Sequence, residues 1–494
     1  MRDVVLGVDL GTSGVGVVAQ AADGSVAARA DHPLTLTTPQ PGWTEQEPEA
    51  WRAAAEGALA EVARAVGGER VAAIALAGQM HGMVARDAQG SAVHPALLWN
   101  DQRTAAEVDE IHARVGRERL IARTGNPAVT GFQLPKVLWL RRNQPEAFAR
   151  TVRIMLPKDD LGLHLTGEAV AEPCDASGTG LYHLAEGAWD REVLAALDLD
   201  PALWPRLVAS NAVVGGLRPA LAETLGLAAD TPVVAGAGDN AAAATGLGLG
   251  RAHPQVGSVS LGTSGVLQAP AADPTPHPEG RVHLFAHADG AYLLLGVTLA
   301  AAGSLRWYRD TFAPGRSFDD LVSEAATAPV GAGGVTFKPY LAGERTPHLR
   351  ADLRGSFHGL SLASSHAHVV RAVLEGVSCS LREALDVMSP LARPERLLAT
   401  GGGAASDVWL GMLADTLGLP LGRPVDEAGR PLEVGAAEGA AWLGWNALGQ
   451  SPERRPRADA WFEPDPDRHE ATEAAYARYR RLGVPAREEA ADPA

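Results

Sequence analysis

One hexapeptide, Leu-Gly-Thr-Ser-Gly-Val, occurs twice in this chain of 494 residues, at positions 10–15 and again at positions 261–266. Each copy ends a short apolar run, so each is predicted to be a strand that turns sharply. Glycine lets the backbone approach a polyanion, and consecutive amides and hydroxyls form an anion-binding concavity. The repeat predicts two phosphate-binding turns in two similar domains with a cleft between them. Their residues are Gly11, Thr12, Ser13, Gly262, Thr263 and Ser264.

A carboxylate stands directly before the first turn. Asp9 ends the strand predicted from Asp3, where its side chain would face bound phosphates. Mg²⁺ in nucleotide sites usually takes one or two carboxylates together with phosphate oxygens. Asp9 is therefore a candidate catalytic residue and a candidate metal ligand. The alternative is a carboxylate that only accepts hydrogen bonds from the turn amides.

A second carboxylate, Asp239, follows a predicted strand at 232–235 and precedes an alanine-rich helix predicted at 241–247. Opposite a phosphate-binding turn, it could accept the proton of a substrate hydroxyl while that oxygen attacks phosphorus. One alternative is that Asp239 is the N-cap of the helix. Another is a dinucleotide fingerprint over 236–241, which is weaker because the acidic residue expected about 20 positions later is missing.

Three further segments carry polar side chains that could bind a sugar. Met80 and His81 lie in a glycine-bracketed turn after the strand predicted at 71–76, and Trp99 opens a polar run that reaches Arg103. Arg345 lies in the polar run 343–348. For each segment the alternative is structural: a histidine in a turn usually serves the fold, and the two loops could be solvated.

A glycine triplet follows the strand predicted at 397–400 and precedes a helix predicted to start near Asp407. It comprises Gly401, Gly402 and Gly403. Small residues leave room for a base or a ribose on the backbone, and the alternative is close helix–strand packing. The chain has three lysines and none follows a glycine, so it lacks a Walker A loop; it also lacks a Gly-x-Ser-x-Gly elbow.

Length and composition limit the number of domains and the classes of binding partner. A chain of 494 residues predicts two domains, with a boundary near Gly250 that gives 1–250, 251–445 and a C-terminal helix and tail at 446–494. The proline-rich stretch 270–278 is predicted to be a loop inside the second domain. A formal charge of −16 argues against nucleic-acid and membrane partners. Two distant cysteines, with no signal peptide or membrane span in the sequence, predict a cytoplasmic protein.

Taken together, these segments resemble the FGGY carbohydrate kinases over roughly residues 4–482. The most specific matching pieces are 9–15, 77–82, 156–159, 238–240, 260–265 and 339–348. The resemblance implies an α/β fold of two ribonuclease-H-like (actin/hexokinase-type ATPase) domains with the catalytic cleft between them. It also implies ATP and Mg²⁺ as cofactors, Asp239 as the proton acceptor and Asp9 at the metal. The substrate contacts it implies are Met80, His81, Asp239, Asn240, Trp99 and Arg345, with Gly401 to Gly403 on the adenosine side.

Within the family, the turn at 79–82 favours D-xylulose as the substrate, with D-xylulose 5-phosphate as the product. Two departures from the family pattern keep alternatives open: Gly16 and Ala405 stand where relatives usually carry Lys or Arg. The alternatives are a kinase of another pentulose or a polyol, and a catalytically weak protein that binds sugar and nucleotide. Arg103 or Arg345 is a candidate to supply the missing charge. A homodimer is one expectation for the assembly.

Overall fold

The computed structural model describes residues 2–426, 429–432, 435–450 and 454–485. The chain divides into two compact units that alternate along the sequence. Unit 1 comprises Met1–Pro254, Pro270–Leu293 and Glu433–Pro456, and unit 2 comprises Gln255–Ala269, Leu294–Leu432 and Arg457–Ala494. The predicted boundary near Gly250 is close to the first crossing, and the proline-rich stretch 270–278 belongs to the compact unit 1. The division into contiguous domains stays a prediction.

The strands before residue 255 are β1 (Val4–Leu10), β2 (Gly14–Gln20), β3 (Val26–Pro33), β4 (Glu45–Gln46), β5 (Val71–Gly78), β6 (Val84–Arg86), β7 (Ala96–Leu97), β8 (Arg153–Met155), β9 (Val170–Ala171), β10 (Tyr182–His183), β11 (Ala188–Trp189), β12 (Arg206–Leu207), β13 (Val213–Gly216) and β14 (Pro232–Gly238). The α-helices of the same stretch are α1 (Pro48–Val66), α2 (Ala105–Val115), α3 (Arg117–Thr124), α4 (Gln133–Asn143), α5 (Pro145–Arg150), α6 (Pro157–Thr166), α7 (Pro173–Ala176), α8 (Arg191–Ala196), α9 (Pro219–Leu225) and α10 (Asp239–Gly246).

The later strands are β15 (Val256–Leu261), β16 (Gly265–Ala271), β17 (His283–Ala286), β18 (Tyr292–Thr298), β19 (Thr336–Lys338), β20 (Ser356–His358), β21 (Arg396–Thr400), β22 (Leu421–Pro424) and β23 (Ala458–Phe462). The later α-helices are α11 (Ala302–Phe312), α12 (Phe318–Ala326), α13 (His366–Met388), α14 (Asp407–Leu417), α15 (Ala436–Ala447) and α16 (His469–Arg481). Short 3₁₀ segments lie at Gly68–Arg70, Ser177–Thr179, Pro201–Leu203, Ala332–Gly334, Gly402–Ala405 and Pro466–Arg468.

The central sheet of unit 1 has the order β13-β14-β5-β1-β2-β3. Strands β14, β5 and β1 run parallel, and all eight residues of β5 are buried, as is typical of a parallel strand covered on both faces. Helix α1 packs on one face, where its side chains join the alternate residues of β1, and α15 packs on the other. The register aligns Gly78 with Leu10 and with Gly238, so the carboxyl ends of three strands meet at one edge.

The sheet of unit 2 repeats this arrangement. Its strands follow the order β18-β16-β15-β21-β22-β23, with the antiparallel pair β15–β16 beside the parallel pair β15–β21. In unit 1 the antiparallel pair β1–β2 lies beside the parallel pair β1–β5 in the same way. The two copies of the hexapeptide therefore occupy equivalent hairpins, which confirms the duplication predicted from the sequence.

Most predicted elements are confirmed with small shifts at their ends. The strand predicted from Asp3 is Val4–Leu10, and the helix predicted at 241–247 begins two residues earlier, at Asp239. The predicted C-terminal helix is His469–Arg481, and the tail from residue 486 lies outside the described residues. In the part of the chain that the structure describes, no helix combines the length and the apolar composition needed to span a bilayer.

Candidate active site

The first phosphate turn connects β1 to β2 and is closed by a hydrogen bond of 3.0 Å from the Gly11 amide to the Gly14 carbonyl. Among the described residues, the amides of Thr12 and Ser13 make no backbone hydrogen bond. Both residues are at least partly exposed. Unpaired amides at the end of a strand are suited to receive phosphate oxygens, which supports the role predicted for this turn.

Thr12 is held by three side chains, of which only Trp99 was a candidate site residue from the sequence. Its hydroxyl donates to Gln79 Oε1 at 3.0 Å and accepts from Trp99 Nε1 at 2.9 Å, while its carbonyl accepts from Gln46 Nε2 at 2.8 Å. Gln46 in turn accepts a hydrogen bond from Trp51 Nε1 at 3.0 Å. These bonds tie the turn to β5 and α1 and link Trp99 directly to the first phosphate turn.

Asp9 lies in an acidic environment. Its Oδ1 is buried and accepts no hydrogen bond from any residue that the structure describes. Burial, together with the charges of Asp239, Glu438 and Asp31, raises the pKa of Asp9 to about 7. The alternative role, a carboxylate that satisfies the turn amides, does not fit this geometry. A buried carboxylate oxygen without a donor suits a cation.

The residues around Asp9 fit Mg²⁺ only as a site shared with a bound nucleotide. Within the described ranges, no group of three His, Cys, Asp or Glu side chains is arranged to hold a metal ion. Mg²⁺ commonly keeps several waters and takes one or two carboxylates plus substrate phosphates. Asp9 beside the free amides of the first turn meets that requirement.

Asp239 is the first residue of α10, and Gly238 occupies the N-cap position, so the N-cap alternative for Asp239 is wrong. Its Oδ1 accepts from the Asn240 amide at 2.7 Å and from Asn240 Nδ2 at 2.9 Å. Burial raises the pKa of Asp239 to about 6, although both hydrogen bonds oppose the increase. A carboxyl group poised near neutral pH, with one oxygen oriented by Asn240, is suited to general-base chemistry.

Met80 packs against Gly238, the residue before Asp239, and His81 follows Met80 in the same turn. A Cβ built on Gly238 would be 2.7 Å from Met80 Cγ, so the absence of a side chain there allows β14 and the turn after β5 to meet. His81 has a left-handed φ of 71°. Its Nδ1 donates to the Gly178 carbonyl at 2.6 Å, and its ring stacks on Phe132 with centroids 4.6 Å apart. The ring is fixed from two sides, as expected of a group that orients a ligand.

Arg103 serves the fold and is not available to replace a missing cation. Its side chain is fully buried, its Nε donates to both oxygens of Asp101, and its Nη1 donates to Glu45 at 2.7 Å. The guanidinium lies 3.8 Å from the ring centre of Trp43 and 4.9 Å from that of Trp139. The proposal that Arg103 compensates for Gly16 is therefore wrong, because its charge is already committed.

Replacing Arg103 with Met is expected to destabilise the protein by about 3–5 kcal/mol, because the buried carboxylates that pair with its guanidinium would lose their cation. Thermal and urea unfolding measure the effect. Arg64 is exposed on α1 and provides the matched control, since R64M should change the free energy of unfolding by less than about 0.5 kcal/mol. Equal stability of the two variants would contradict the structural role of Arg103.

The second phosphate turn packs against the N-terminal end of α11. The Thr263 carbonyl accepts from the amides of Ala301 and Gly303 at 2.9 and 3.2 Å, and the Gly262 carbonyl accepts from Ala302 at 2.8 Å. Thr263 is exposed and Ser264 is partly exposed. Unit 2 therefore presents the second turn in the same strand–turn–strand setting as the first.

The glycine triplet lies next to the second turn. A Cβ at Gly401, whose φ is 83°, would be 2.8 Å from the backbone of Leu261, and a Cβ at Gly403 would be 3.2 Å from the Trp409 ring. A Cβ at Gly402 would meet nothing within 4 Å. Close packing explains Gly401 and Gly403, while Gly402 faces open space.

That open space is a cavity of about 150 Å³ in unit 2. Gly402 and Gly403 form one side, Leu305, Phe318 and Val322 supply apolar surface, and Ala405 also lines it. A small, mostly apolar cavity next to a phosphate turn can accept a flat base. The arrangement supports the adenosine-side role predicted for the triplet.

Arg345 belongs to unit 2, in a loop anchored by its neighbour. Glu344 is buried and accepts from the amides of Leu299 and Arg345 at 2.9 and 2.8 Å and from Ser380 Oγ at 3.1 Å. Burial lowers the pKa of Arg345 and raises that of Glu344 to about 7. The contact of Arg345 with substrate stays a prediction.

The structure gathers the predicted residues within each unit. Unit 1 brings together Asp9, Gly11, Thr12, Ser13, Met80, His81, Trp99, Asp239 and Asn240, and unit 2 brings together Gly262, Thr263, Ser264, Gly401, Gly402 and Gly403. Sequence reasoning assigned no site role to Gln46, Gln79, Asp31 or Glu438. Gln79 lies inside the recognised segment 77–82, whereas no local pattern marks Glu438.

Comparisons with known proteins agree with this geometry. The model of the N-terminal domain of the FGGY family of carbohydrate kinases matches residues 4–246, and that of the C-terminal domain matches residues 257–444. A xylulose kinase of Lactococcus lactis subsp. lactis is 41% identical over 416 residues, covering 83% of this chain and 82% of the relative. A xylulose kinase of Escherichia coli K12 is 40% identical over 440 residues and 89% of each chain. A crystal structure described as a xyloylose kinase from Brucella ovis is 38% identical with a TM-score of 0.89, covering 97% of this chain and 98% of that one.

Fold and site together define a two-domain carbohydrate kinase of the actin- and hexokinase-like ATPase type. The chain belongs to the FGGY family of carbohydrate kinases, a family whose members use ATP as the phosphoryl donor.

Proposed function

We propose that this carbohydrate kinase phosphorylates D-xylulose on its 5-hydroxyl with ATP and Mg²⁺ in xylose catabolism, forming D-xylulose 5-phosphate. The observation that carries the proposal is the placement of Asp239 beside a phosphate-binding turn and Asp9, at the adjoining ends of β1, β5 and β14. The substrate is inferred from the xylulose kinases to which the chain is similar. The two free, buried cysteines support a reducing compartment such as the cytoplasm.

In the proposed mechanism, Asp239 accepts the proton of the attacking hydroxyl. Because Asn240 holds Oδ1 with two hydrogen bonds, Oδ2 is the oxygen oriented for that proton. The sugar would be bound by Met80, His81, Asn240 and Trp99. These contacts would hold the attacking hydroxyl in line with phosphorus. Arg345 is proposed to contribute a further substrate contact.

Both phosphate-binding turns are proposed to serve the phosphoryl donor. In unit 1 the amides of Thr12 and Ser13 would receive phosphate oxygens. In unit 2 the turn 262–264 would receive phosphate oxygens and the cavity lined by Gly402 would receive the base. Asp9 would hold Mg²⁺, which when bound neutralises charge that develops on the transferring group. The residues present fit this assignment because Asp9 Oδ1 is buried and accepts no hydrogen bond from the described residues.

A substrate panel tests the proposed sugar. We expect kcat/KM for D-xylulose to exceed that for D-ribulose, L-ribulose, L-xylulose and glycerol by about tenfold or more, since a site built to hydrogen-bond a substrate discriminates strongly. A higher value for another pentulose or for glycerol would reassign the substrate within the family. Binding of ATP without ADP production on any sugar would support the second alternative, a catalytically weak binding protein, for which Gly16 and Ala405 are the sequence evidence.

The proposed base predicts the acid side of the pH profile. Asp239 must be ionised to accept a proton, and burial raises its pKa to about 6. We therefore expect kcat/KM to be constant above about pH 7 and to fall about tenfold per pH unit below pH 6. Steady-state rates between pH 5 and pH 8, measured over a range of D-xylulose concentrations at saturating MgATP, provide the measurement. A profile that stays flat down to pH 5 would exclude a base with this pKa.

A further inference from the structure

Three neighbouring strands of unit 1 place charged side chains on one face of the sheet. The register pairs Asp9 with Gly16 and Gly16 with Asp31, and one step along the same face it pairs Gly7 with Val18 and Val18 with Arg29. Residues paired across strands point to the same side of a sheet. Asp9, Asp31 and Arg29 therefore share a face.

Helix α15 covers this face and adds a third carboxylate. A Cβ on Gly7 would lie 1.9 Å from the Ala437 carbonyl oxygen, so the helix packs directly against β1. Glu438, in the first turn of α15, is buried with 4% of its side chain exposed. Its Oε2 accepts from the Gly435 amide at 2.9 Å, and its Oε1 accepts a hydrogen bond from Arg29 Nη2.

The charges on this face are unequal. The charged side chains that act most strongly on Asp9 are Asp239, Glu438 and Asp31, all carboxylates. Gly16 contributes no charge, although a Cβ there would lie only 3.0 Å from Asp31 Oδ1. Arg29, whose side chain is 41% exposed, supplies positive charge to this face through its contact with Glu438. The negative charge of these carboxylates opposes the approach of a nucleotide polyphosphate.

We propose that Arg29 is a positioning residue that neutralises Glu438 and thereby allows the face around Asp9 to accept the anionic Mg²⁺–nucleotide. The inference rests on the proposed role of Asp9 toward Mg²⁺ and phosphate. Arg29 and Glu438 together set the net charge of this face. More negative charge strengthens the binding of a free divalent cation and weakens the binding of MgADP, whose net charge is negative.

Binding measurements without sugar test this balance. Titration calorimetry with Mn²⁺ alone and with MgADP is carried out on wild type, R29Q and E438Q. We expect R29Q to bind Mn²⁺ about three- to tenfold more tightly and MgADP about three- to tenfold more weakly. E438Q should shift both affinities in the opposite directions. Gln at 438 can keep the hydrogen bond to the Gly435 amide, so this variant retains its helix cap.

Further variants separate charge from packing. R29K should retain both wild-type affinities, and R29Q/E438Q should restore them because the double variant loses one positive and one negative charge, which cancel. G16K/R29Q should restore MgADP binding, since the ammonium introduced at position 16 would stand beside Asp31. The control is R64Q, a change of the same type at an exposed position on α1.

If the contact between Arg29 and Glu438 were purely structural, its loss in R29Q would lower the melting temperature and weaken the binding of Mn²⁺ and of MgADP together. Affinities in R29Q that move in the same direction, or stay within about twofold of wild type, would overturn the proposal. The predicted opposite shifts in a protein that does not turn over D-xylulose would refute the proposed sugar and support the role of Arg29. Failure of wild type to bind MgADP would overturn both.

Discussion

Replacing Asp239 with Asn is expected to lower kcat by about 10²- to 10⁴-fold while leaving the affinities for D-xylulose and MgADP within about threefold of wild type. The reason is that Asn preserves the shape of the side chain and an oxygen that can accept both hydrogen bonds from Asn240, but it cannot take a proton from the substrate hydroxyl. The effect should therefore appear in the chemical step. Steady-state kinetics and titration calorimetry measure the two quantities.

A matched control for this variant is D109N, which removes an exposed carboxylate on α2 in the same unit. We expect D109N to retain wild-type kcat, so that loss of a negative charge elsewhere in unit 1 is excluded as the cause. Turnover of D239N near the wild-type rate would remove Asp239 from the role of base. If D239N loses both sugar binding and turnover, Asp239 would instead be assigned to substrate binding alone.

Replacing Asp9 with Asn is expected to have two opposite effects. Activity should fall by about 10²-fold or more, because Asn lacks the charge that holds the metal near the phosphates. Stability should rise by about 1–3 kcal/mol at pH 8, because the variant removes a buried, ionised oxygen that has no hydrogen-bond donor among the described residues. A gain in stability with a loss of function is typical of functional sites.

The pH dependence of that stability gain follows from the pKa of Asp9, which burial and neighbouring carboxylates raise to about 7. In the unfolded chain an Asp ionises near pH 4, so the native state binds more protons between about pH 4 and pH 7. The unfolding free energy of wild type should therefore decrease as pH rises through this window. D9N should lack that contribution, so the stability difference is largest at pH 8 and small at pH 5.

Thermal unfolding of wild type, D9N and the control D109N at pH 5 and pH 8 measures this difference without ligand. A D9N protein less stable than wild type at pH 8 would show that the Asp9 carboxylate accepts structural hydrogen bonds, the alternative considered from the sequence. Wild-type activity in D9N would contradict its role at the metal.

The sequence predicted the parts of the site that depend on short motifs. Asp9, Thr12 and Ser13 were recognised because the strand and its turn are encoded in consecutive residues, and the repeat at 261–266 located the second turn for the same reason. Asp239 was recognised from the strand before it and the helix after it. Its position as the first helical residue, with Gly238 as the N-cap, depends on backbone geometry that local composition does not determine.

The parts that depend on distant contacts could not be predicted. Glu438 meets Arg29 across 409 residues because α15 packs on the glycine-lined face of β1, and no local pattern records that packing. The sequence offers Arg103 as a candidate cation, yet two tryptophans and two carboxylates enclose its side chain. The alternation of the chain between units after residue 254 also depends on tertiary contacts.

The proposed reaction can be observed by ³¹P and ¹³C NMR of a mixture containing the purified protein, MgATP and D-xylulose, with D239N as the control. We predict one new phosphate monoester on C5, identical to authentic D-xylulose 5-phosphate, formed in equal amount to ADP by wild type and at a greatly reduced rate by D239N. Formation of ADP with inorganic phosphate alone, phosphorylation at another carbon, or no sugar-dependent ADP would contradict the proposed reaction.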